Sequence, residues 1–181
     1  MKIVETSLPG VLALTPTIYR DNRGAFRENF NLRVLAEAGL PTNWAQDNFS
    51  VSHKNVLRGL HYQVIQPQGK LVWVAEGNIL DVAVDLRRSS PHFGRHVAVE
   101  LTGDEGEMLW IPPGFGHGFL VLSETARVAY KVTDYYAPAG DRTILWNDPD
   151  LAIAWPADPA SVIISDKDRK GFALHDAEVF D

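Results

Sequence analysis

Short apolar or alternating runs recur through the middle of the chain. Lys70–Glu76, Ile79–Leu86, His96–Leu101, Met108–Ile111, Phe119–Leu122 and Arg127–Thr133 have the length and the β-branched or aromatic content of strands. Turn formers separate them: Glu76-Gly77-Asn78, Ser89-Ser90-Pro91, Thr102-Gly103-Asp104 and Pro112-Pro113-Gly114. Several short strands at this spacing predict an all-β sandwich or barrel. One earlier segment carries helix signals. Asn31 can cap it, Leu32–Ala38 can form it, and Gly39 can end it ahead of Pro41. A shorter helix is expected at Ser165-Asp166-Lys167-Asp168, where an acid three residues after a serine resembles a capping box. The C-terminal third, rich in proline and tryptophan, reads as irregular chain wrapped on the barrel.

Composition narrows the function. With 181 residues, 45% of them hydrophobic, the chain is expected to form a single domain over residues 1–181 with a real core. A net charge of -6 argues against a general nucleic-acid surface but leaves room for a locally basic pocket. The absence of cysteine excludes disulfides, thiolate metal sites and a cysteine nucleophile. No apolar run approaches the roughly 18 residues that span a bilayer. The start of the chain lacks a signal-peptide core, so a cytoplasmic protein without membrane contact is expected. No glycine-rich dinucleotide fingerprint, P-loop or G-x-S-x-G elbow is present. An enzyme built from this chain would work with acids and bases alone.

The candidate chemistry sits in a few strings. In Val56-Leu57-Arg58-Gly59-Leu60-His61-Tyr62-Gln63, simple alternation puts His61 and Arg58 on opposite faces. Read alone, His61 suits a satisfied core histidine and Arg58 a surface charge. Both can face one pocket only if the strand bulges, and Gly59 is the place for a bulge. Lys70 shares a face with Val72 and Val74. A lysine there usually leaves its ammonium in water at a strand end, and the alternative is a cation beside developing negative charge. Tyr130 lies on the inward face of Val128 and Val132, as a hydrogen-bonded core phenol or a proton donor. Pro112-Pro113-Gly114-Phe115-Gly116-His117 fits P-x-G-x-x-H, the second half of a cupin barrel motif. The first half would need a second histidine where Gln63 stands, and a glutamate after it. His61 and His117 alone fall short of the usual three protein ligands, so no metal is expected.

Taken together, the ordered strings resemble the dTDP-4-dehydrorhamnose 3,5-epimerase family. They are Gln46-Asp47-Asn48, Val56–Gln63, Gln68-Gly69-Lys70-Leu71-Val72, Asp81–Arg87, Trp110–Phe119, Tyr130-Lys131 and Trp146-Asn147-Asp148-Pro149, within a match from about Arg23 to about Lys170. The resemblance implies a mainly β, cupin-type jelly roll with a few short helices, no cofactor and no metal. It implies a homodimer with swapped N-terminal strands. The substrate it implies is dTDP-4-dehydro-6-deoxy-D-glucose, converted to the dTDP-4-dehydro-L-rhamnose used for cell-surface polysaccharide. It places the general base on His61, the proton donor on Tyr130, the carboxylate that orients the base on Asp168, and the cation at the C4 oxygen on Lys70. It places the diphosphate contact on Arg58 and further substrate contacts on Arg23, Phe26, Glu28, Gln46, Asn48, His117, Asp141 and Lys167. Tyr136 would stack on thymine. Arg23 and Glu28 would reach the partner subunit's site. Two positions depart from the family pattern: Phe49 replaces a histidine common in relatives, and Asp141 replaces a glutamate found in some. Either is expected to alter nucleotide affinity without touching the acid–base set.

The implied reaction fits these residue types. Hydrogens at C3 and C5 both lie α to the C4 ketone, so removing one gives an enolate with its charge largely on O4. Inversion then needs a base on one face, an acid on the other and a cation at O4. Histidine titrates near the operating pH and suits the base. Tyrosine is protonated at neutral pH and can donate. Rival readings are a mono-epimerase, a sugar-nucleotide 3,4-ketoisomerase, a metal-dependent oxygenase and a non-catalytic sugar-nucleotide binder. The R-G-L-H and Q-G-K-L strings argue against the second, and Gln63 argues against the third.

Overall fold

The structure is a computed structural model that describes all residues, 1–181. Six strands form one antiparallel sheet. Their spatial order is β1 (Lys2–Glu5), β2 (Leu12–Thr15), β10 (Met108–Ile111), β7 (Lys70–Glu76), β12 (Thr125–Val132) and β5 (Gln46–His53). Five form the second: β13 (Asp141–Thr143), β6 (Leu57–Gln63), β11 (Phe115–Val121), β8 (Asn78–Asp85) and β9 (His96–Thr102). The remaining strands, β3 (Ile18–Asp21) and β4 (Gly24–Arg27), make a hairpin that pairs with neither sheet. Helix α1 (Leu32–Glu37) begins at Asn31, whose side chain accepts from the N–H groups of Arg33 and Val34. Helix α2 (Asp166–Arg169) begins at Ser165, which caps the N–H of Asp168. No helix is long and apolar enough to cross a membrane.

Three apolar clusters explain the layering. The largest fills the space between the sheets, with Val72, Val74, Ile79, Ala83, Leu109, Phe119 and Val128 at its centre. A second lies on the outer face of the five-stranded sheet, where Leu60, Val82 and Val84 meet Ile144, Leu151 and Leu174 of the C-terminal wrap. Strand β8 is therefore covered on both faces, which is why Ile79–Leu86 is apolar on both faces apart from Asp81 and Asp85. The third cluster seats Leu35 and Leu40 on Leu14, Leu71 and Met108 of the six-stranded sheet.

One departure from the expected strands, and the bulge anticipated at Gly59, concern the site. The strand expected at Phe119–Leu122 begins earlier, at Phe115, because Gly116 and Gly118 are built into it. Pairing of β6 with β11 sets His61 opposite His117 and Arg58 opposite Phe119, three steps on one strand against two on the other. This is the bulge. It centres on Gly59, whose φ is +129°, and a Cβ there would lie 2.5 Å from the Gly118 Cα. The extra residue turns Arg58 and His61 to the same inner face.

Candidate active site

A cavity of about 340 Å³ opens between the sheets. Arg58, His61 and Gln63 of β6 and His117 and Phe119 of β11 line one wall; Gln46, Asn48 and Ser50 of β5, Lys70 of β7 and Tyr130 of β12 line the other. Tyr62, Gln68, Tyr136, Asp141 and Lys167 complete the lining. Most of the candidate residues are thus brought together. Arg23, Phe26 and Glu28 do not line this cavity. Arg23 pairs with Asp21 at 2.7 Å, Phe26 is 70% exposed on β4, and Glu28 accepts from Asn31. Phe49 points out of the cavity from β5, so its replacement of histidine leaves the cavity lining unchanged.

His61 is held by a distant segment. His61 Nε2 lies 2.6 Å from Asp168 Oδ1. With the carboxylate accepting, Nε2 carries the proton and Nδ1 is left as the basic nitrogen. Asp168 is 2% exposed. Burial pushes its carboxyl up, but hydrogen bonds from His61 and from the Gly59 N–H outweigh that and hold it below the usual carboxylate range. The capping-box expectation is met only in half: Ser165 Oγ accepts from the Asp168 N–H at 3.1 Å, while the Asp168 carboxylate turns to His61 and caps nothing.

Lys70 contradicts the ordinary strand-end expectation. It is buried, and its Nζ donates to the His61 carbonyl at 3.1 Å. Burial pulls its pKa down to about 8, against the opposing pull of Asp81 and Asp141. A cation so poorly solvated is ready to meet negative charge. Across the cavity, burial raises the Tyr130 phenol despite the nearby Arg58 charge, so it is a protonated donor at neutral pH. The Arg58 Nε donates to Ser52 Oγ at 3.0 Å.

Two polar side chains that brace the cavity, those of Asp81 and Gln63, escaped the sequence reading. His117 Nε2 sits 2.7 Å from Asp81 Oδ1, both buried, and burial lowers the imidazole despite the carboxylate. The signal for Asp81 was an aspartate between Ile79 and Ala83 on the inward face of a largely apolar strand. Gln63 donates to the Gln66 and Tyr135 carbonyls and accepts from the Ala137 N–H, so its amide braces the loop after β12. At the mouth, Asp141 accepts from the Tyr136 hydroxyl at 2.9 Å and also pairs with Lys167. No three histidine, cysteine, aspartate or glutamate side chains stand close enough to hold a metal ion.

A β-sandwich whose cavity sets a histidine–carboxylate pair and a buried lysine against a tyrosine defines an acid–base enzyme of the cupin class. The comparisons narrow that class. Residues 5–176 match the family model described as dTDP-4-dehydrorhamnose 3,5-epimerase, and the chain belongs to that family. It is 49% identical over 181 residues to the dTDP-4-dehydrorhamnose 3,5-epimerase of Pseudomonas aeruginosa, covering 99% of each chain. It also superimposes with a TM-score of 0.95, at 47% identity, on a dTDP-6-deoxy-D-glucose-3,5-epimerase from Legionella pneumophila in complex with dTDP-4-keto-L-rhamnose, covering 98% of this chain and 94% of that one. A 3'-monoepimerase from Streptomyces bikiniensis in complex with dTDP-quinovose has a TM-score of 0.88 at 37% identity, covering 94% of this chain and 86% of that one.

Proposed function

We propose that the protein inverts C3 and C5 of dTDP-4-dehydro-6-deoxy-D-glucose to give dTDP-4-dehydro-L-rhamnose. One observation carries the mechanism: the base and the acid stand on opposite sheets of one cavity, with the buried ammonium of Lys70 beside the base. His61 removes the proton α to the ketone. Asp168 steadies the imidazolium that forms. Lys70 meets the charge that develops on O4. Tyr130 delivers a proton from the far wall, which inverts the carbon. Once the imidazolium has released its proton to solvent and the Tyr130 phenolate has taken one up, repetition at the second α carbon completes the reaction.

Arg58 takes the diphosphate. Gln46, Asn48, His117, Asp141 and Lys167 contact nucleotide or sugar, and Tyr136 stacks on thymine. Residues 1–181 act as one domain in the cytoplasm. The functional unit is a homodimer in which exchanged N-terminal strands bring Arg23, Phe26 and Glu28 to the neighbouring subunit's cavity. The exposure of that hairpin and its lack of pairing to either sheet support this reading.

The test is proton NMR of the substrate with enzyme in deuterium oxide after chelator treatment. Deuterium at both C3 and C5 is the expected result. Exchange at one carbon would make the protein a mono-epimerase, a reading that the likeness to the Streptomyces bikiniensis 3'-monoepimerase favours. Binding without exchange would refute the reaction.

A further inference from the structure

Strand β5 inverts the usual pattern of a sandwich strand. Its inward row is Gln46, Asn48, Ser50 and Ser52, all polar, while Phe49 and Val51 point outward and are exposed. Each inward position faces something different. The Gln46 side chain accepts from the Tyr136 N–H. Asn48 is paired across the ladder with Tyr130. Ser52, only 3% exposed, accepts from Arg58 Nε across the gap between the sheets. Ser50 lies between Asn48 and Ser52 in this row. The residue borders the cavity, while its hydroxyl is turned into the wall, shut off from solvent and without a hydrogen-bond partner in the protein. A buried hydroxyl left unpaired forfeits its hydration with no return, and such a group calls for an explanation.

We infer that the inward serines of β5 are two parts of the substrate site: Ser52 is a positioning residue that aims Arg58 at the diphosphate, and Ser50 hydrogen-bonds the C2 hydroxyl of the hexose. This deepens the epimerase reading and rests on it. Serine suits position 52 because its oxygen holds Nε without neutralising the guanidinium. The two terminal nitrogens keep their charge and their fork geometry for phosphate oxygens. Position 50 follows from the order along the strand. Alternate residues stand roughly 7 Å apart, with the proton donor level with Asn48 and the phosphate clamp level with Ser52. In a pyranosyl diphosphate, C1 and C2 connect the phosphate to the reacting C3. Ser50, between the two landmarks, therefore stands level with the C1–C2 edge, where the C2 hydroxyl is the sugar's own polar group.

The experiment measures dTDP affinity by calorimetry and steady-state turnover for Ser50→Ala, Ser52→Ala, Arg58→Ala and the Ser52→Ala/Arg58→Ala pair. Ser52→Ala should weaken dTDP binding about tenfold, the effect of one hydrogen bond, and should add nothing in the Arg58→Ala background. Equal weakening in both backgrounds, or none in either, overturns the positioning role. Ser50→Ala should keep dTDP affinity and lower kcat/KM about tenfold for the full substrate. On a 2-deoxy analogue the variant and the wild type should turn over alike. The same loss on both substrates overturns the C2 contact. Absence of wild-type turnover would refute the epimerase reading and the Ser50 contact with it, while the Ser52 arm would still be decided by dTDP binding alone.

Discussion

Lys70→Met should make the protein more stable and nearly inactive. The structure buries the ammonium and gives it one hydrogen bond, to the His61 carbonyl. Its pKa falls from 10.5 to about 8. That difference, at 1.36 kcal/mol per unit, means the charge destabilises the fold by about 3 kcal/mol at neutral pH. Methionine keeps the length without the charge and loses a hydrogen bond worth about 1 kcal/mol. The net gain is about 2 kcal/mol, or roughly 4–8 °C in Tm for a chain of this size. The sign has a pH signature. A cation whose folded pKa is depressed binds its proton more tightly in the unfolded chain. Wild-type stability therefore rises between about pH 8 and 10.5, and the advantage of the variant should shrink over that window. Turnover should fall roughly 10²–10³-fold through loss of the charge that meets the enolate. Calorimetric unfolding at pH 7 and pH 9.5, with NMR turnover, checks both halves. A variant less stable than wild type at pH 7, or an advantage that does not change with pH, would refute the reasoning.

Other outcomes follow from the same geometry. The kcat/KM of the wild type should fall above about pH 8 as Lys70 loses its proton, since burial raises the Tyr130 phenol above its ordinary 10 and keeps it out of that limb; a pH–rate profile flat to pH 10 would exclude Lys70 as the required cation. Asp168→Asn should lower kcat roughly 10²–10⁴-fold with little change in KM, because the amide no longer fixes the histidine tautomer; steady-state kinetics would show it. Tyr130→Phe should let deuterium enter the substrate without inversion, because His61 can return a proton only to the face it came from; NMR distinguishes exchange from epimerisation. Gly59→Ala should destabilise the fold by at least about 2 kcal/mol in urea unfolding, since the added carbon meets Gly118 and the His117 carbonyl at a backbone angle that favours glycine.

The parts of the fold that were legible in the sequence are those where burial and periodicity agree. Strands β7, β10 and β12 were found from their apolar runs, and β8 from being covered on both faces. Strand β5 was missed as a strand for the reason that makes it useful: it turns polar residues inward, so the ordinary rule points its apolar side chains to the wrong face. The strands from β1 to β4 are four residues each, too short for alternation to stand out. Gly116 and Gly118 concealed the start of β11, yet the absence of a side chain at 118 is what allows β6 to bulge past it. The bulge itself could be argued beforehand, because Arg58 and His61 could share a pocket in no other way. The Asp168 pairing could not. It joins residues 107 apart, and no local pattern links a histidine in a strand to a carboxylate in a one-turn helix. Only the family resemblance connected them. Lys70 marks the sharpest limit of general rules: lysine is rarely fully buried, yet here the ammonium lies inside the cavity with one hydrogen bond, to the His61 carbonyl, and it is this poor solvation that suits it to the role proposed at O4.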